Sequence, residues 1–191
     1  MRVILLGAGE HACVVAEAAT AAGWTVLASL DHAGEASLDG LQAQAPDARL
    51  HLAIGANDVR LAAAARLGTR PWTALVHPRA IVSPSAVISP GAFIGAGAVV
   101  QAGAVIGVHA VINSGAVVEH DCRLGACCHV APGAVLGGGV EVGDGVLIGL
   151  GARVRDHVRI GERATVGMGA AVVADVVAGR TVLGVPARER P

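Results

Sequence analysis

An aliphatic residue recurs at every sixth position of this chain from Val76 to Val172, 17 times without an insertion. The residue two places earlier is Ala, Cys or Val in every repeat. An α-helix cannot use this spacing, because six residues rotate an apolar stripe away from any fixed core. Repeats of six are typical of a parallel β-helix, in which each repeat forms a short strand and a corner and the coils stack their aliphatic side chains. We therefore predict a parallel β-helix with about 18 residues per coil.

Composition agrees with this prediction and divides the chain into two domains. Only 2% of the 191 residues are aromatic, whereas 27 are glycine. A core of Val, Ile and Ala with tight corners has this composition, and a core of packed aromatic rings does not. The repeat occupies residues 75–191, so residues 1–74 are predicted to form a separate domain.

Charge and hydropathy exclude two classes of partner. The net charge is -1 and the chain contains no lysine, so nothing offers the basic surface that a nucleic acid requires. Mean hydropathy is +0.61, but the apolar stretch 80–118 is interrupted by Pro84, Pro90 and several glycines, which argues against a membrane span. No signal region is recognised at the N-terminus, so we expect a cytoplasmic protein.

Residues 80–118 also contain no Asp, Glu, Lys or Arg, and this stretch is long enough to fill more than two coils. All three faces of those coils therefore lack charge. We expect partners, most simply other copies of the chain, to cover part of this surface. The alternative is that Ser, Gly and Ala are polar enough to face solvent.

The first domain opens as a strand–helix–strand unit. Residues 2–6 are apolar and lead into Gly7-x-Gly9-x-x-Ala12, a helical stretch follows at 12–22, and a second strand at 26–30 ends at Asp31. Such a turn can bring backbone close to a phosphate at a helix N-terminus. A third strand at 50–54 and a helix at 58–67 complete a Rossmann-like unit with room for a nucleotide. The glycines alone fit a simple tight turn equally well.

Chemistry in the repeat is expected where its corners depart from small residues. Glu119, His120 and Asp121 follow the uncharged stretch directly. A neutral imidazole with a carboxylate to orient it can act as a general base, although a solvated surface histidine has the same sequence. His129 lies nine residues later, half a coil away, so we expect it on a different face from His120. No pair of histidines has the spacing of a zinc site, and Cys122 and Cys128 occupy the small inward position.

Six segments together resemble one known family. They are Gly7-Ala8-Gly9-Glu10-His11 with Val14-Val15-Ala16-Glu17, Leu30-Asp31, Ala53-Ile54-Gly55-Ala56-Asn57, residues 111–122, and Leu183-Gly184-Val185-Pro186-Ala187-Arg188. The chain resembles the sugar acetyltransferases of the PglD and NeuD type, which belong to the left-handed β-helix superfamily and act on nucleotide sugars. The resemblance covers both domains.

The resemblance implies a homotrimer with acetyl-CoA in a groove between adjacent β-helices and the nucleotide-linked amino sugar on the first domain. It implies His120 as general base and Asp121 as the acid that orients it. The implied acetyl-CoA contacts are His129, Gly138, Leu150 and Gly167. The implied substrate contacts are Gly9, Glu10, His11, Asp31, Gly55 and Asn113.

The expected reaction is direct transfer of an acetyl group from acetyl-CoA to the amino group of a UDP-linked or other nucleotide-linked amino sugar, without a metal. The chain departs from the family at two positions, with Glu10 in place of Gly or Ser and His32 in place of a second acid. Both lie in the part of the site that is expected to bind the nucleotide. The alternatives are O-acetylation of sialic acid or a related sugar, and a non-catalytic scaffold or nucleotide-sugar sensor.

Overall fold

The computed structural model describes residues 1–32 and 34–190. The first domain is a parallel sheet of three strands in the order β2-β1-β3. Its elements are β1 (Arg2–Leu6), α1 (Glu10–Ala21), β2 (Thr25–Leu30), a 3₁₀ helix (Gly34–Ser37), α2 (Leu38–Gln44), β3 (Arg49–Leu52) and α3 (Asn57–Leu67). The predicted strand–helix–strand opening is confirmed. The sequence pattern did not indicate α2, because this helix has seven residues, contains Gly40 and buries only Leu38.

The carboxyl ends of β1 and β3 meet at one edge of this sheet, where the chain turns sharply at Gly7. Strand β1 is buried from Val3 to Leu6, as a central parallel strand must be. Gly7 has a φ of 130°, and a β-carbon there would collide with the carbonyl of Ala53. Glycine is therefore required at position 7, because the chain passes close to the Ala53 carbonyl there. The edge of the sheet beside α1 is open.

From Leu75 onward the chain forms the predicted parallel β-helix, with one two-residue strand in each repeat through Val172. Strands are numbered in chain order, and the pairs from β4 to β20 join strands one coil apart, for example Val111 with His129. The first face contains β4 (Leu75–Val76), β7 (Phe93–Ile94), β10 (Val111–Ile112), β13 (His129–Val130), β16 (Leu147–Ile148), β19 (Thr165–Val166), β21 (Thr181–Leu183) and β22 (Arg188–Glu189). The second contains β5 (Ile81–Val82), β8 (Val99–Val100), β11 (Val117–Val118), β14 (Val135–Leu136), β17 (Arg153–Val154) and β20 (Ala171–Val172). The third contains β6 (Val87–Ile88), β9 (Val105–Ile106), β12 (Arg123–Leu124), β15 (Glu141–Val142) and β18 (Arg159–Ile160).

The core of the β-helix is the stack of side chains that the repeat predicted. The aliphatic position is buried in every repeat from Ile94 to Val172, and so is the small residue two places before it. Cys122 and Cys128 are fully buried in that small position, which confirms the prediction that they point inward. Stacking similar side chains every coil buries a continuous apolar column without large aromatic rings.

The three faces differ in what covers them. The first three strands of the first face, β4, β7 and β10, pack against β1 and α1 of the first domain and bury Leu75, Phe93 and Val111. The third face carries Arg123, Glu141 and Arg159 in register, and Glu141 and Arg159 form an ion pair at 3.2 Å. The second face presents an aliphatic row that nothing in the described part of the chain covers, consisting of Ile81, Val99, Val117 and Val135.

Side chains of α3 join the two domains. Asn57 Nδ2 donates to the carbonyls of Gly145 and Val146 at 3.1 and 2.9 Å. Arg60, one turn later, is fully buried between the domains and bonds to both of them. Within residues 1–32 and 34–190, no helix combines the length and apolar character needed to cross a membrane.

Replacing Gly143 by Ala tests how tightly the coils stack. A β-carbon there would lie 2.7 Å from the backbone nitrogen of Glu162, so we expect Gly143→Ala to lower the free energy of unfolding by about 1–3 kcal/mol through overpacking. Gly40 is the matched control, because it lies in α2 with nothing within 4 Å of a β-carbon. Gly40→Ala should raise the free energy of unfolding by about 0.5–1 kcal/mol. Denaturant titration measures both, and equal effects of the two variants would contradict the stacking.

Candidate functional site

His120 lies on the edge between the second and third faces, in the turn that joins β11 to β12. The next residue, Asp121, has a φ of 59°, a left-handed conformation that Asp adopts more readily than most residues. In the preceding coil, a β-carbon on Gly103 would lie 2.5 Å from Asp121 Oδ1. Glycine at that position leaves room for the carboxylate, which can then turn toward His120.

The hydrogen bond between these two residues determines which imidazole nitrogen is free. His120 Nδ1 lies 2.9 Å from Asp121 Oδ2. An ionised carboxylate only accepts, so Nδ1 carries the proton and Nε2 keeps its lone pair. The free Nε2 points along the edge toward the next coil, where Gly138 occupies the position equivalent to His120.

Gly138 places an unused backbone donor beside that free nitrogen. A β-carbon on Gly138 would lie 2.6 Å from His120 Nε2, so the ring rests directly against this glycine. The neighbouring amides of Gly137 and Gly139 donate to Val154 O and His120 O. In the described part of the chain, the N–H of Gly138 has no such partner. The imidazole nitrogen that keeps its lone pair therefore lies against a glycine whose amide has no backbone partner within the described residues, so one edge offers both a base and a hydrogen-bond donor.

The pKa of His120 is raised above its ordinary value of 6.5. The hydrogen bond to Asp121 is the largest cause, and the charges of Asp121 and Glu119 add to it. The imidazole is largely exposed, so a substrate can reach it. A raised pKa makes the ring a stronger base, at the expense of a larger protonated fraction near neutral pH.

The predicted nucleotide-sugar residues Gly9, Glu10, His11 and Gly55 come together around one cleft of about 530 Å³. The cleft lies at the open edge of the sheet, where Gly9 caps the N-terminus of α1 without a side-chain hydrogen bond. Free amides and the helix dipole at this end favour an anionic group such as a phosphate. Because the four residues line one cleft, a binding site is favoured over the alternative that the glycines only form a tight turn.

Asp31 lies in an adjoining cleft of about 360 Å³ that shares Gly7, Ile54 and Val59 with the first. Asp31 Oδ1 accepts a hydrogen bond from the Gly34 amide at 2.7 Å. His32 lies beside Glu35, which also pairs with Arg66. Two connected clefts along the edge of the sheet are therefore lined by five of the predicted substrate residues, Gly9, Glu10, His11, Asp31 and Gly55.

His129 lies on the first face, which confirms that it does not share a face with His120. Its Nε2 lies 3.1 Å from Asn113 Nδ2, and the Asn113 oxygen accepts from the Ser114 amide, so the side-chain amide donates and Nε2 accepts. Burial, followed by the charges of Arg60 and His11, lowers the pKa of His129 to about 4, so the ring is neutral at pH 7. His129, predicted as an acetyl-CoA contact, thus lines a cleft with Gly55, and Asn113 fixes the orientation of its ring.

Leu150 and Gly167, the other predicted acetyl-CoA contacts, lie on a different edge from His120. They occupy the edge between the first and second faces, where Leu150 is half exposed and Gly167 packs against the side chain of Leu183. His120 and Gly138 lie on the opposite border of the second face. A single chain therefore does not bring the predicted cofactor residues together.

The thiols are poor candidates for carrying an acyl group. Cys127 is 1% exposed, and burial raises its pKa. Burial also raises the pKa of Cys128 to about 12. Both stay protonated at neutral pH, and a thiol is a weak nucleophile. No group of three His, Cys, Asp or Glu side chains in residues 1–32 and 34–190 could hold a metal ion.

Sequence reasoning missed Asn57 and Arg60, which hold the loop of the substrate cleft. A signal was present, since Arg60 occupies the apolar stripe of α3 with Ala56, Ala63 and Leu67 at spacings of four, three and four. A charged residue on such a stripe is buried only if its donors find partners. The pattern alone does not say where those partners lie.

Replacing Asp121 by Asn should lower the pKa of His120. The variant removes the negative charge and replaces an ionic acceptor with a neutral one, so the imidazolium loses stabilisation. Glu119→Gln is the matched control and should lower this pKa by less, because Glu119 acts only through its charge. Titration of the His120 ring protons by NMR measures both shifts. Equal shifts in the two variants would contradict the orientation of the pair.

Comparison with known proteins agrees with both domains. The PglD N-terminal domain family matches residues 2–67. PerB from Caulobacter crescentus, determined with CoA and GDP-perosamine, is 40% identical over 100% of this chain and 98% of its own, with a TM-score of 0.93. The acetyltransferase domain of PglB from Neisseria gonorrhoeae FA1090, determined with acetyl coenzyme A, is 35% identical over 99% and 98%, with a TM-score of 0.86. None of the curated proteins matches the chain.

The fold recurs in a more distant protein, WeeI from Acinetobacter baumannii AYE, at 24% identity, full coverage of both chains and a TM-score of 0.78. A histidine-to-alanine variant of the Caulobacter enzyme, described as a GDP-perosamine N-acetyl transferase, is 38% identical to this chain. Identity and fold agree over the full length of these relatives, and the resemblance inferred from the motifs is confirmed. This chain belongs to the family of PglD-type sugar acetyltransferases with a β-helix domain.

Proposed function

We propose that this protein transfers an acetyl group from acetyl-CoA to the amino group of a nucleotide-linked amino sugar. The observation that carries the proposal is the His120–Asp121 pair, whose free Nε2 lies against the Gly138 backbone. Full-length similarity to a GDP-perosamine N-acetyl transferase supports the reaction and makes a guanosine-linked sugar as good a candidate as the UDP-linked sugar expected from the sequence.

In the proposed reaction, His120 Nε2 removes a proton from the sugar amine as the nitrogen attacks the thioester carbonyl. The C–N bond forms first, to give a tetrahedral intermediate, and the C–S bond then breaks. Coenzyme A leaves as the thiol after accepting the proton that His120 took from the amine. The N–H of Gly138 donates to the carbonyl oxygen as it gains negative charge. Asp121 holds the ring in the correct tautomer and stabilises the imidazolium. Binding both substrates in one complex supplies much of the rate acceleration.

We infer that the nucleotide diphosphate rests in the cleft at the N-terminus of α1, with the base toward Asp31. Free amides near Gly9 match the charge of the phosphates. From this cleft the sugar extends past Gly55 toward Asn113 and His129, which lie where the two domains meet. His120 of the same chain lies on an edge away from this face, so the imidazole must come from another copy.

The active protein is therefore proposed to be a homotrimer. A groove that joins two different edges of the β-helix is a head-to-tail contact, and such contacts form a closed ring when the rotation between copies closes. A three-sided β-helix suits a rotation of one third of a turn. The second face lies between the two edges and presents the uncovered aliphatic row Ile81, Val99, Val117 and Val135. Three copies packed through this face would cover the row and bring Leu150 of one copy near His120 of the next. A cytoplasmic location stays a prediction from the sequence.

The activity is tested by measuring thiol release from acetyl-CoA with GDP-perosamine, a UDP-linked 4-amino sugar and free sialic acid as acceptors. We expect release with a nucleotide-linked amino sugar and a loss of about 10²- to 10⁴-fold in kcat for His120→Ala. His77→Ala is the control, because that histidine lies in a corner remote from the pair and should leave the rate unchanged. Release only with sialic acid would indicate O-acetylation, and full activity of His120→Ala would remove its role as the base.

The trimer is tested with a charge on the second face. Val99→Glu places a carboxylate in the aliphatic row and should dissociate the assembly, because an unpaired charge at a packed interface is strongly unfavourable. Val87→Glu makes the same change on the third face and should leave the assembly intact. Light scattering should give about three times the 18.9 kDa chain mass for the wild type and for Val87→Glu. A wild-type mass of a single chain would overturn the proposal.

A further inference from the structure

Arg60 is a fully buried arginine whose hydrogen bonds all go to uncharged oxygen atoms. Nε donates to His109 O at 2.9 Å, and Nη1 donates to Ile54 O and Gly55 O at 2.7 and 3.0 Å. Nη2 donates to Asn57 Oδ1, Cys127 O and Cys128 O at 2.8, 2.8 and 3.3 Å. A buried guanidinium without a carboxylate partner is rare, since charge burial is tolerated only when every donor is satisfied.

The acceptors belong to the two parts of the molecule that would hold the two substrates. Ile54, Gly55 and Asn57 form the loop of the nucleotide-sugar cleft in the first domain. Cys127 and Cys128 immediately precede His129 on the first face of the β-helix. One rigid, planar side chain therefore fixes the separation between this loop and this strand, in a way that a flexible ammonium group could not.

A second link reinforces the same separation. His129 and Gly55, whose carbonyl accepts from Arg60, line the same cleft between the loop and the β-helix. Asn57 shares its amide between Arg60 on one side and the carbonyls of Gly145 and Val146 on the other. Removing Arg60 would leave several buried carbonyls without a donor, and the loop would have to move to satisfy them.

The charge of Arg60 acts on the histidines around it. After burial itself, Arg60 is the largest cause that lowers the pKa of His129, and it also lowers the pKa of His11. His11 of α1, Arg163 of the β-helix and Asp58 of α3 are the other titratable or charged groups around His129 or lining the cleft beside it. A neutral His129 accepts from Asn113, which a doubly protonated ring cannot do.

We propose that Arg60 is a positioning residue for the acetyl transfer, which fixes the Ile54–Asn57 loop against the Cys127–His129 strand so that sugar and thioester meet in reacting geometry. The inference rests on the proposed function and goes beyond it, because a side chain with no exposed surface touches neither substrate. Displacement of the loop by about 1 Å would lower the rate by about 100-fold without removing any catalytic group.

The test compares Arg60→Lys and Arg60→Gln with Arg70→Gln, an arginine in a surface pair with Asp39. Assays are run well below each variant's unfolding temperature. Both Arg60 variants should lose about 100-fold in kcat, whereas Arg70→Gln should stay within about twofold of the wild type. NMR titration of His129 separates geometry from charge. Its pKa should rise in Arg60→Gln, which removes a positive charge, and stay low in Arg60→Lys, which keeps it.

A folded Arg60→Lys or Arg60→Gln with wild-type kcat and KM would overturn the inference. If Arg60→Gln does not fold, Arg60→Lys and Asn57→Ala decide the matter, because each weakens the same junction while leaving the rest of it in place. Wild-type kcat in both would overturn the inference equally. A wild-type protein that releases no thiol with any acceptor would instead refute the proposed function, so the two failures are distinguishable.

Discussion

The guanidinium of Arg60 is the interaction on which the arrangement of the two domains depends. Each domain can satisfy its own strands, but the surface between them contains the backbone carbonyls of Ile54, Gly55, His109 and Cys127, which accept from Arg60. Buried carbonyls without partners are strongly unfavourable, and a charge buried without partners is more so. Arg60 satisfies both requirements at once, which makes the interface specific rather than merely apolar.

The chemistry depends on a different property, the regular stacking of coils. Because each coil repeats the path of the coil before it, the edge position of His120 recurs at Gly138. The imidazole therefore lies over a glycine whose amide is free among the described residues, and Asp121 lies over Gly103. The proposed base, its orienting acid and the proposed oxyanion donor thus lie on one edge of the β-helix, and glycines provide the space that they require.

The different coverage of the three faces connects the fold to the proposed assembly. The first domain covers β4, β7 and β10 of the first face. The third face carries a row of charged side chains, which can face solvent. The second face keeps an aliphatic row between the two edges that carry the predicted acetyl-CoA contacts. The proposed catalytic unit contains more than one copy because a single β-helix keeps these two edges apart.

The amino-acid sequence was enough to predict the β-helix, its coil length, the inward cysteines and the pairing of His120 with Asp121. These features depend on contacts at a fixed spacing, so periodicity reveals them. Local motifs in the sequence also placed Gly9, Glu10, His11 and Gly55 at the edge of the first sheet. The three-dimensional fold was needed to show that Arg60 and Asn57 join the domains, that His129 accepts from Asn113, and that Leu150 lies away from His120. Those contacts connect residues far apart in the chain, and no local pattern records which distant carbonyl a buried donor will meet.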